Sequence, residues 1–191
     1  LIEKKYNLKI FFNILEVDGK KLVLEAKGNV KILDLNNNFT FKSNSIKLDR
    51  LNNILSSSTT STIEDSHKNL FNVKKFTYEI SNFILNIENG SFKDSNNNKL
   101  DFSSAFIDTK SNKLFGKDIE LNYKNLSFNK ENEPRIKGKK ISYDNGNTEI
   151  EKGIFTVCKK TDTCPPWELT AEKITHNKKK KNIDYKNVWL K

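Results

Sequence analysis

The side chains able to do covalent or metal chemistry are few, and most of them lie within residues 153–190. The sequence holds two cysteines, Cys158 and Cys164, and two histidines, His67 and His176. A structural zinc site needs about four such ligands. An oxidising compartment favours a small disulfide-closed ring, whereas a reducing one favours unpaired thiols or half of a metal site. The composition alone leaves these alternatives open.

The sequence shows no pattern typical of an active site. The histidines stand in no motif that pairs a nucleophile with a base, and there is no glycine-rich phosphate loop, zinc-protease helix or nucleophile elbow. His176 also occupies a strand position in the repeat described below, which favours a structural role over a ligand role. We therefore expect no enzyme, no metal and no other cofactor.

The elements that would position these residues are short β-strands. Apolar and polar residues alternate along segments about ten residues apart, as in residues 22–32, and Asn, Asp and Gly cluster between them. This pattern is typical of an all-β sandwich, barrel or solenoid. Asp18 and Gly19 predict a hairpin turn, and the best helical candidate, residues 64–71, is short.

A weak internal repeat adds a kink to these strands. Residues 41–49, 136–144 and 169–177 each carry an apolar residue, four small or polar residues, Ile, one further residue, a large residue and then Asp or Asn. Because this spacing shifts the alternation by one, each copy predicts a strand with a bulge or kink. Stacked copies predict a folded-over, V-shaped sheet whose inner face is a continuous apolar trough.

The chain is basic, with 34 Lys and Arg against 24 Asp and Glu and a formal net charge of +10. This balance indicates an anionic partner, namely nucleic acid, a membrane surface or a phosphorylated lipid, or else serves only solubility. Lysines are spread along the chain, with runs at Lys139 and Lys140 and at residues 178–181.

No apolar run reaches the roughly 18 residues of a membrane-spanning helix. There is no signal-peptide pattern at Leu1, so we expect a mature or excised part of a longer protein.

Residues 153–190 resemble the lipopolysaccharide-assembly outer-membrane proteins, the LptD or organic solvent tolerance family. Three motifs carry this resemblance: GIFTVC at residues 153–158, PPWELTAEKITH at residues 165–176 and IDYKNVWL at residues 183–190. EAKGNV at residues 25–30 and EPR at residues 133–135 look like further parts of the family's periplasmic domain.

The resemblance implies a single periplasmic β-jelly-roll (β-taco) domain over residues 1–191, with the family's C-terminal barrel absent from the chain. It implies that lipopolysaccharide arrives from an LptA-like bridge protein, docked by edge-strand pairing, and passes to a barrel that holds an LptE-like plug lipoprotein. The expected location is the periplasm of a Gram-negative bacterium, as part of an outer-membrane protein. Residues 22–32 and 174–190 are expected near opposite ends of the sheet.

The expected lipid site is the inner face of the trough, where acyl chains would be held by burial at about 0.8 kcal/mol per CH₂ and lysines on the rims would meet phosphates. Because some members of the family form disulfides between this domain and the barrel, Cys158 and Cys164 are expected to pair with each other or with barrel cysteines. The residues expected to line the trough are Leu24, Val30, Phe41, Ile46, Leu48, Phe102, Phe106, Leu121, Ile141, Tyr143, Leu169, Ile174 and Tyr185.

Three alternatives accompany this hypothesis. A free-standing bridge protein of the LptA or LptC type has the same fold, but the CPPW segment at residues 164–167 favours the barrel protein. A basic β-module that binds nucleic acid would expose aromatic side chains beside lysines, whereas the alternation points the aromatic residues inward, so nucleic acid is not an expected partner. A purely structural β-solenoid is the third alternative.

Overall fold

A computed structural model describes residues 1–95, 97–123, 133–144, 146–158, 167–177, 179–180 and 182–191. All regular structure in these residues is β-strand, which confirms the predicted all-β class. The strands are β1 Ile2–Glu3, β2 Leu8–Phe11, β3 Ile14–Asp18, β4 Val23–Asp34, β5 Phe39–Asp49, β6 Ile54–Ser57, β7 Ser61–Glu64, β8 Leu70–Glu79, β9 Ile84–Lys93, β10 Lys99–Asp108, β11 Lys113–Asn122, β12 Arg135–Asp144, β13 Asn147–Thr156, β14 Leu169–Asn177 and β15 Asn182–Leu190.

These strands form one antiparallel sheet. Its order among the described residues is β1-β2-β4-β5-β6-β8-β9-β10-β11-β12-β13-β14-β15. β3 pairs with the first half of β4, and β7 pairs with β5 and β8 beside β6. β15 is the last strand at one end and β4 lies near the other, so residues 174–190 and 22–32 are near opposite ends as expected.

The Asn and Asp clusters form the hairpin turns. The carboxylates of Asp34, Asp49 and Asp108 each accept hydrogen bonds from the backbone N–H groups two and three residues later. Asn38 and Asn53 complete two of these turns with φ angles of 56° and 58°, a conformation that Asn tolerates better than most residues. Residues 64–71 do not form the helix that was the best helical candidate. Instead, the carboxylate of Asp65 accepts backbone hydrogen bonds in a turn between β7 and β8.

The predicted kink lies near the middle of β5 and of β8 to β15. In β10, Phe102 and Ala105 are both buried although two residues separate them. In β4 the irregularity is a register shift between Lys27 and Val30. We call the line that joins these positions across the sheet the crease. Positive φ angles occur there on alternate strands, at Asn29, Asn89, Asp118, Lys152 and Asn187.

The sheet folds over at the crease, so that its two halves face each other. Arm 1 is the half of each strand on the side of β2 and β7, and arm 2 is the half on the side of β3 and β6. The ring centres of Phe41 on arm 1 and Phe76 on arm 2 lie 5.4 Å apart. Tyr78 of arm 2 donates a hydrogen bond of 2.9 Å to the carboxylate of Asp34 on arm 1. A single sheet can thus bury its own apolar face.

Candidate functional site

The inner face of the folded sheet is an almost unbroken apolar surface. Directly paired residues point to the same face, so the strand register defines rows of inward side chains. The longest row on arm 1 consists of Ile10, Ile32, Phe41, Ile63, Phe71, Phe92, Leu100, Leu121, Ile136, Phe155, Leu169 and Leu190. The repeat predicted from the sequence is visible here, since each copy places its Ile on arm 2 beside the crease.

Polar contacts hold the two arms together near the N-terminal strands, and we call this region the clasped end. Asp34 is only 1% exposed, and its partner Tyr78 also accepts a hydrogen bond from Asn37 Nδ2 at 2.9 Å. Burial, and then the charge of Asp34, raise the pKa of Tyr78 well above its usual value. The hydroxyl of Tyr6 donates to the carbonyl oxygen of Arg50 at 3.0 Å. Protein side chains therefore fill the inner face here.

At the opposite end the rows continue onto β15, whose inner face the described residues cover only in part. Its inward side chains Ile183, Tyr185, Val188 and Leu190 are 47%, 37%, 42% and 72% exposed. On the next strand, Ile174 is only 2% exposed. We call the inner face of β15 the open end. A contiguous exposed apolar patch of this kind marks an interaction surface.

Aromatic side chains from both arms border the open end. Tyr123 directly follows β11 on arm 1 and packs against the core. Desolvation, and then the nearby phenol of Tyr185, raise the pKa of Tyr123 to about 12. Burial also raises the pKa of Tyr185. The rings of Phe155 and Trp167 lie 5.9 Å apart on arm 1, so the surface combines apolar bodies with a few polar tips.

All but one of the residues expected to line the trough lie in inward rows, and their contact with lipid stays a prediction. They differ in how far protein covers them. Tyr143 and Tyr185 are more than one third exposed, at 38% and 37%. Leu24, Leu121 and Leu169 are half-buried. The others are buried, namely Val30, Phe41, Ile46, Leu48, Phe102, Ile141 and Ile174.

Phe106 lies on the outer face, contrary to the expectation. It is 41% exposed and pairs with Asn86 and Phe115, whose ring centre is 6.3 Å from its own. The kink between Phe102 and Ala105 shifts the parity of β10 by one. Alternation carried across this kink therefore assigns Phe106 to the wrong face.

Two grooves of about 500 and 590 Å³ run along the crease on the outer face. Phe106 and Phe115 border the first, together with Glu88, Lys140 and Glu151. Lys140 forms an ion pair of 3.1 Å with Glu151. Outward side chains dominate both linings, so neither groove opens onto the apolar inner face.

The remaining residues singled out in the sequence have ordinary positions where they are described. His176 lies in an inward row between Thr148 and Ile183. Cys158 is buried, and Cys164 lies outside the described residues, so their pairing stays a prediction. Across the described parts of the chain, no three His, Cys, Asp or Glu side chains are grouped to hold a metal ion, and no helix is long and apolar enough to cross a membrane.

Comparison with solved structures identifies the architecture. The chain is similar to the crystal structure of LptH from Pseudomonas aeruginosa, described as the LptA-homologous periplasmic component of the lipopolysaccharide transport device. The fold is an LptA-like β-jelly roll. The TM-score is 0.51 at 13% sequence identity, over 60% of this chain and 85% of LptH. No model of a protein family matches the sequence, and no curated protein does.

Four inward residues at or beside the open end were absent from the expected lining: Tyr123, Ile183, Val188 and Leu190. Tyr123 continues the alternation of Ile119 and Leu121, so the sequence carried the signal for it. The exposure of the β15 residues depends instead on what covers the last strand, and alternation within a strand does not contain that information.

Proposed function

We propose that the chain is a periplasmic lipopolysaccharide-transport domain whose inner face holds the acyl chains of the lipid. The observation that carries this proposal is the continuation of the apolar rows onto β15, where Ile183, Val188 and Leu190 are exposed. Acyl chains laid on this surface would gain about 0.8 kcal/mol for each buried CH₂ group. The module acts by binding and transfer rather than by catalysis.

The charge at the open end suits an anionic lipid. Residues 174–191 contain six lysines and one acidic residue, Asp184. Lys179 and Lys180 are exposed in the turn between β14 and β15. Headgroup phosphates can meet these lysines at the tip of arm 2 while the chains lie on the inner face. The likeness to LptH, a component of a lipopolysaccharide transport device, supports the same function.

The finer role that we propose is the N-terminal periplasmic domain of an LptD-type outer-membrane protein in a Gram-negative bacterium. This domain would receive lipopolysaccharide from an LptA-like bridge protein and pass it to a C-terminal barrel with an LptE-like plug. The motifs of residues 153–190 support this role over the alternative, a free-standing bridge protein of the LptA or LptC type. In both cases β15 and the N-terminal edge strands would pair with neighbouring proteins by β-augmentation.

The exposed rings of Phe106 and Phe115 are a feature expected of the alternative function, a β-module that binds nucleic acid. Glu88 and Glu151 border the same groove, and Lys140 is already ion-paired there. Carboxylates beside the rings would repel a phosphate backbone, whose neutralisation supplies most of the affinity for nucleic acid. We therefore do not propose nucleic acid as a partner.

Photo-crosslinking to lipopolysaccharide tests the proposal. A benzophenone amino acid replaces Tyr185, which faces inward on β15, or Trp189, which is 58% exposed and lies in an outward position of the same strand. After irradiation of the purified proteins with lipopolysaccharide, we expect the adduct mainly in the Tyr185 variant. The Trp189 variant is the matched control, because both sites are exposed aromatic positions on one strand.

Equal adduct yields at the two positions would indicate adsorption without a site, and adducts at position 189 alone would contradict an inner-face site. Salt-dependent DNA binding at submicromolar concentration by the unmodified chain would favour the nucleic-acid alternative instead.

A further inference from the structure

The five tyrosines of the chain fall into two groups. Tyr6 and Tyr78, at the clasped end, donate their hydroxyl protons to protein oxygens. The hydroxyls of Tyr123, Tyr143 and Tyr185 make no hydrogen bond with any described residue. All tyrosines whose hydroxyls lack a described partner therefore lie in the half of the sheet that contains the open end.

These three tyrosines come from different strands and from both arms. Tyr123 follows the last residue of β11, at the tip of arm 1. Tyr143 is the residue before the last of β12, near the tip of arm 2, and Tyr185 lies in the middle of β15. Tyr185 is close enough to Tyr123 for its charge to oppose the ionisation of Tyr123. The hydroxyls of Tyr123 and Tyr185 therefore border one region between the arms, and Tyr143 lies on the same inner face, three strands from β15.

Their surroundings are apolar, yet the hydroxyls are not sealed from solvent. Tyr123 packs against the core, and Tyr185 lies among Ile183 and Val188 on the inner face of β15. No fully buried side-chain oxygen among the described, non-exposed residues lacks a hydrogen-bond partner, so the hydroxyl of Tyr123 reaches open space. Tyr185 is itself 37% exposed. A tyrosine in this setting offers an apolar body and a donor at its tip.

We propose that Tyr123, Tyr143 and Tyr185 form a polar contact site for an acylated glycolipid, donating hydrogen bonds to the carbonyl oxygens that link its acyl chains to the sugar. Ester and amide carbonyl oxygens only accept hydrogen bonds, so a set of phenol donors matches them. The inference rests on the proposed function and adds a position for the linkage region to it. The linkage carbonyls lie on the inner face of the open half of the sheet, where Tyr123 and Tyr143 stand near the tips of the arms and Tyr185 stands beside the crease.

The test uses Tyr→Phe substitutions, which keep the ring and remove only the hydroxyl. The triple variant Tyr123→Phe/Tyr143→Phe/Tyr185→Phe and the unmodified chain are titrated with two probes. One probe is a diacylated glucosamine 1-phosphate, which has acyl chains with linking carbonyls. The other is N-phenyl-1-naphthylamine, an apolar fluorophore without carbonyl groups. Urea unfolding and circular dichroism verify that the variant folds.

We expect the triple variant to bind the glycolipid at least about tenfold more weakly, since three hydrogen bonds to the ligand are lost. Its affinity for the fluorophore should stay unchanged. Single substitutions at Tyr123 and Tyr185 should each give part of the loss.

The remaining outcomes separate the two proposals. If the unmodified chain binds neither probe, the proposed function fails together with the inference. If it binds both and the triple variant keeps the full glycolipid affinity, the function stands and the tyrosine site is overturned. An equal loss for both probes also overturns the site, because the hydroxyls would then act through the apolar surface rather than through carbonyl oxygens.

Discussion

Tyrosine side chains that reach across the two arms have protein partners at one end of the sheet and none among the described residues at the other. At the clasped end, Tyr78 of arm 2 reaches Asp34 of arm 1 and donates a hydrogen bond of 2.9 Å. At the open end, Tyr123 of arm 1 lies near Tyr185 of arm 2, and neither hydroxyl finds a partner among the described residues. One repeating architecture therefore ends as a locked core on one side and as an available surface on the other.

The packing of the inward rows follows the same division. Phe41 and Tyr78 are 0% exposed at the clasped end, whereas Leu190 in the same row as Phe41 is 72% exposed. Burial of aromatic and aliphatic side chains is the main favourable term in folding. We infer that the clasped end contributes more to stability than the open end, which the proposed function assigns to lipid binding.

Truncation of the inward row should show the largest difference between the two ends. Phe41→Ala removes a ring that lies 5.4 Å from Phe76 and 5.3 Å from Tyr78. We expect the free energy of unfolding to fall by about 3–5 kcal/mol, because a cavity is left among buried rings. Val188→Ala at the open end should cost roughly 0.5 kcal/mol or less. Urea unfolding measures both, and similar losses for the two variants would contradict the division.

Removal of a single tyrosine hydroxyl should also destabilise the protein more at the clasped end than at the open end, but by a smaller amount than truncation of the inward row. Tyr78→Phe leaves the buried carboxylate of Asp34 without one of its donors and should reduce the free energy of unfolding by about 1–3 kcal/mol. Tyr143→Phe is the control, since its hydroxyl has no described protein partner, and we expect almost no change in stability. If Tyr78→Phe left the free energy of unfolding unchanged, the hydrogen bond between Tyr78 and Asp34 would not be what holds the arms together.

Alkaline pH should weaken the fold through tyrosine ionisation. The pKa of Tyr78 lies well above the ordinary value of 10.0, and that of Tyr123 is about 12. Below pH 10 neither state ionises, so the contribution of these groups is complete. As the pH rises further, the unfolded chain loses these protons first, and the free energy of unfolding falls by up to about 1.4 kcal/mol per pH unit for each group. Urea unfolding of the native chain and of Tyr78→Phe between about pH 9 and pH 11.5 should give a shallower fall for the variant. If the free energy of unfolding fell equally steeply with pH in both proteins, Tyr78 would not contribute to the loss of stability at alkaline pH.

Much of the fold could be predicted from the sequence because the information is local. Alternation, Asx turns and the repeat frame predict kinked antiparallel strands, and Phe41, Ile141 and Ile174 lie on the predicted face. Phe106 shows the limit of this method. The kink in β10 shifts the alternation of inward and outward residues after Phe102. β10 lies outside the three copies of the repeat, so the sequence pattern does not indicate a kink there.

The candidate site could be predicted only in part, because coverage is a property of the assembled sheet. The sequence pattern gives Val30 and Tyr185 the same inward role, yet Val30 is 1% exposed and Tyr185 is 37% exposed. The contrast arises from the position of each strand in the sheet and from cross-arm contacts such as Tyr78 with Asp34. Neither follows from alternation within a strand.

Amide hydrogen exchange with and without lipopolysaccharide is the most direct test of lipid binding at the open end, since it needs no substitution. We expect bound lipid to slow exchange mainly in β12, β14 and β15 and to leave β5 and β8 unchanged. Protection gained mainly in β5 and β8 would contradict it, and so would a complete absence of protection in β15 at saturating lipopolysaccharide.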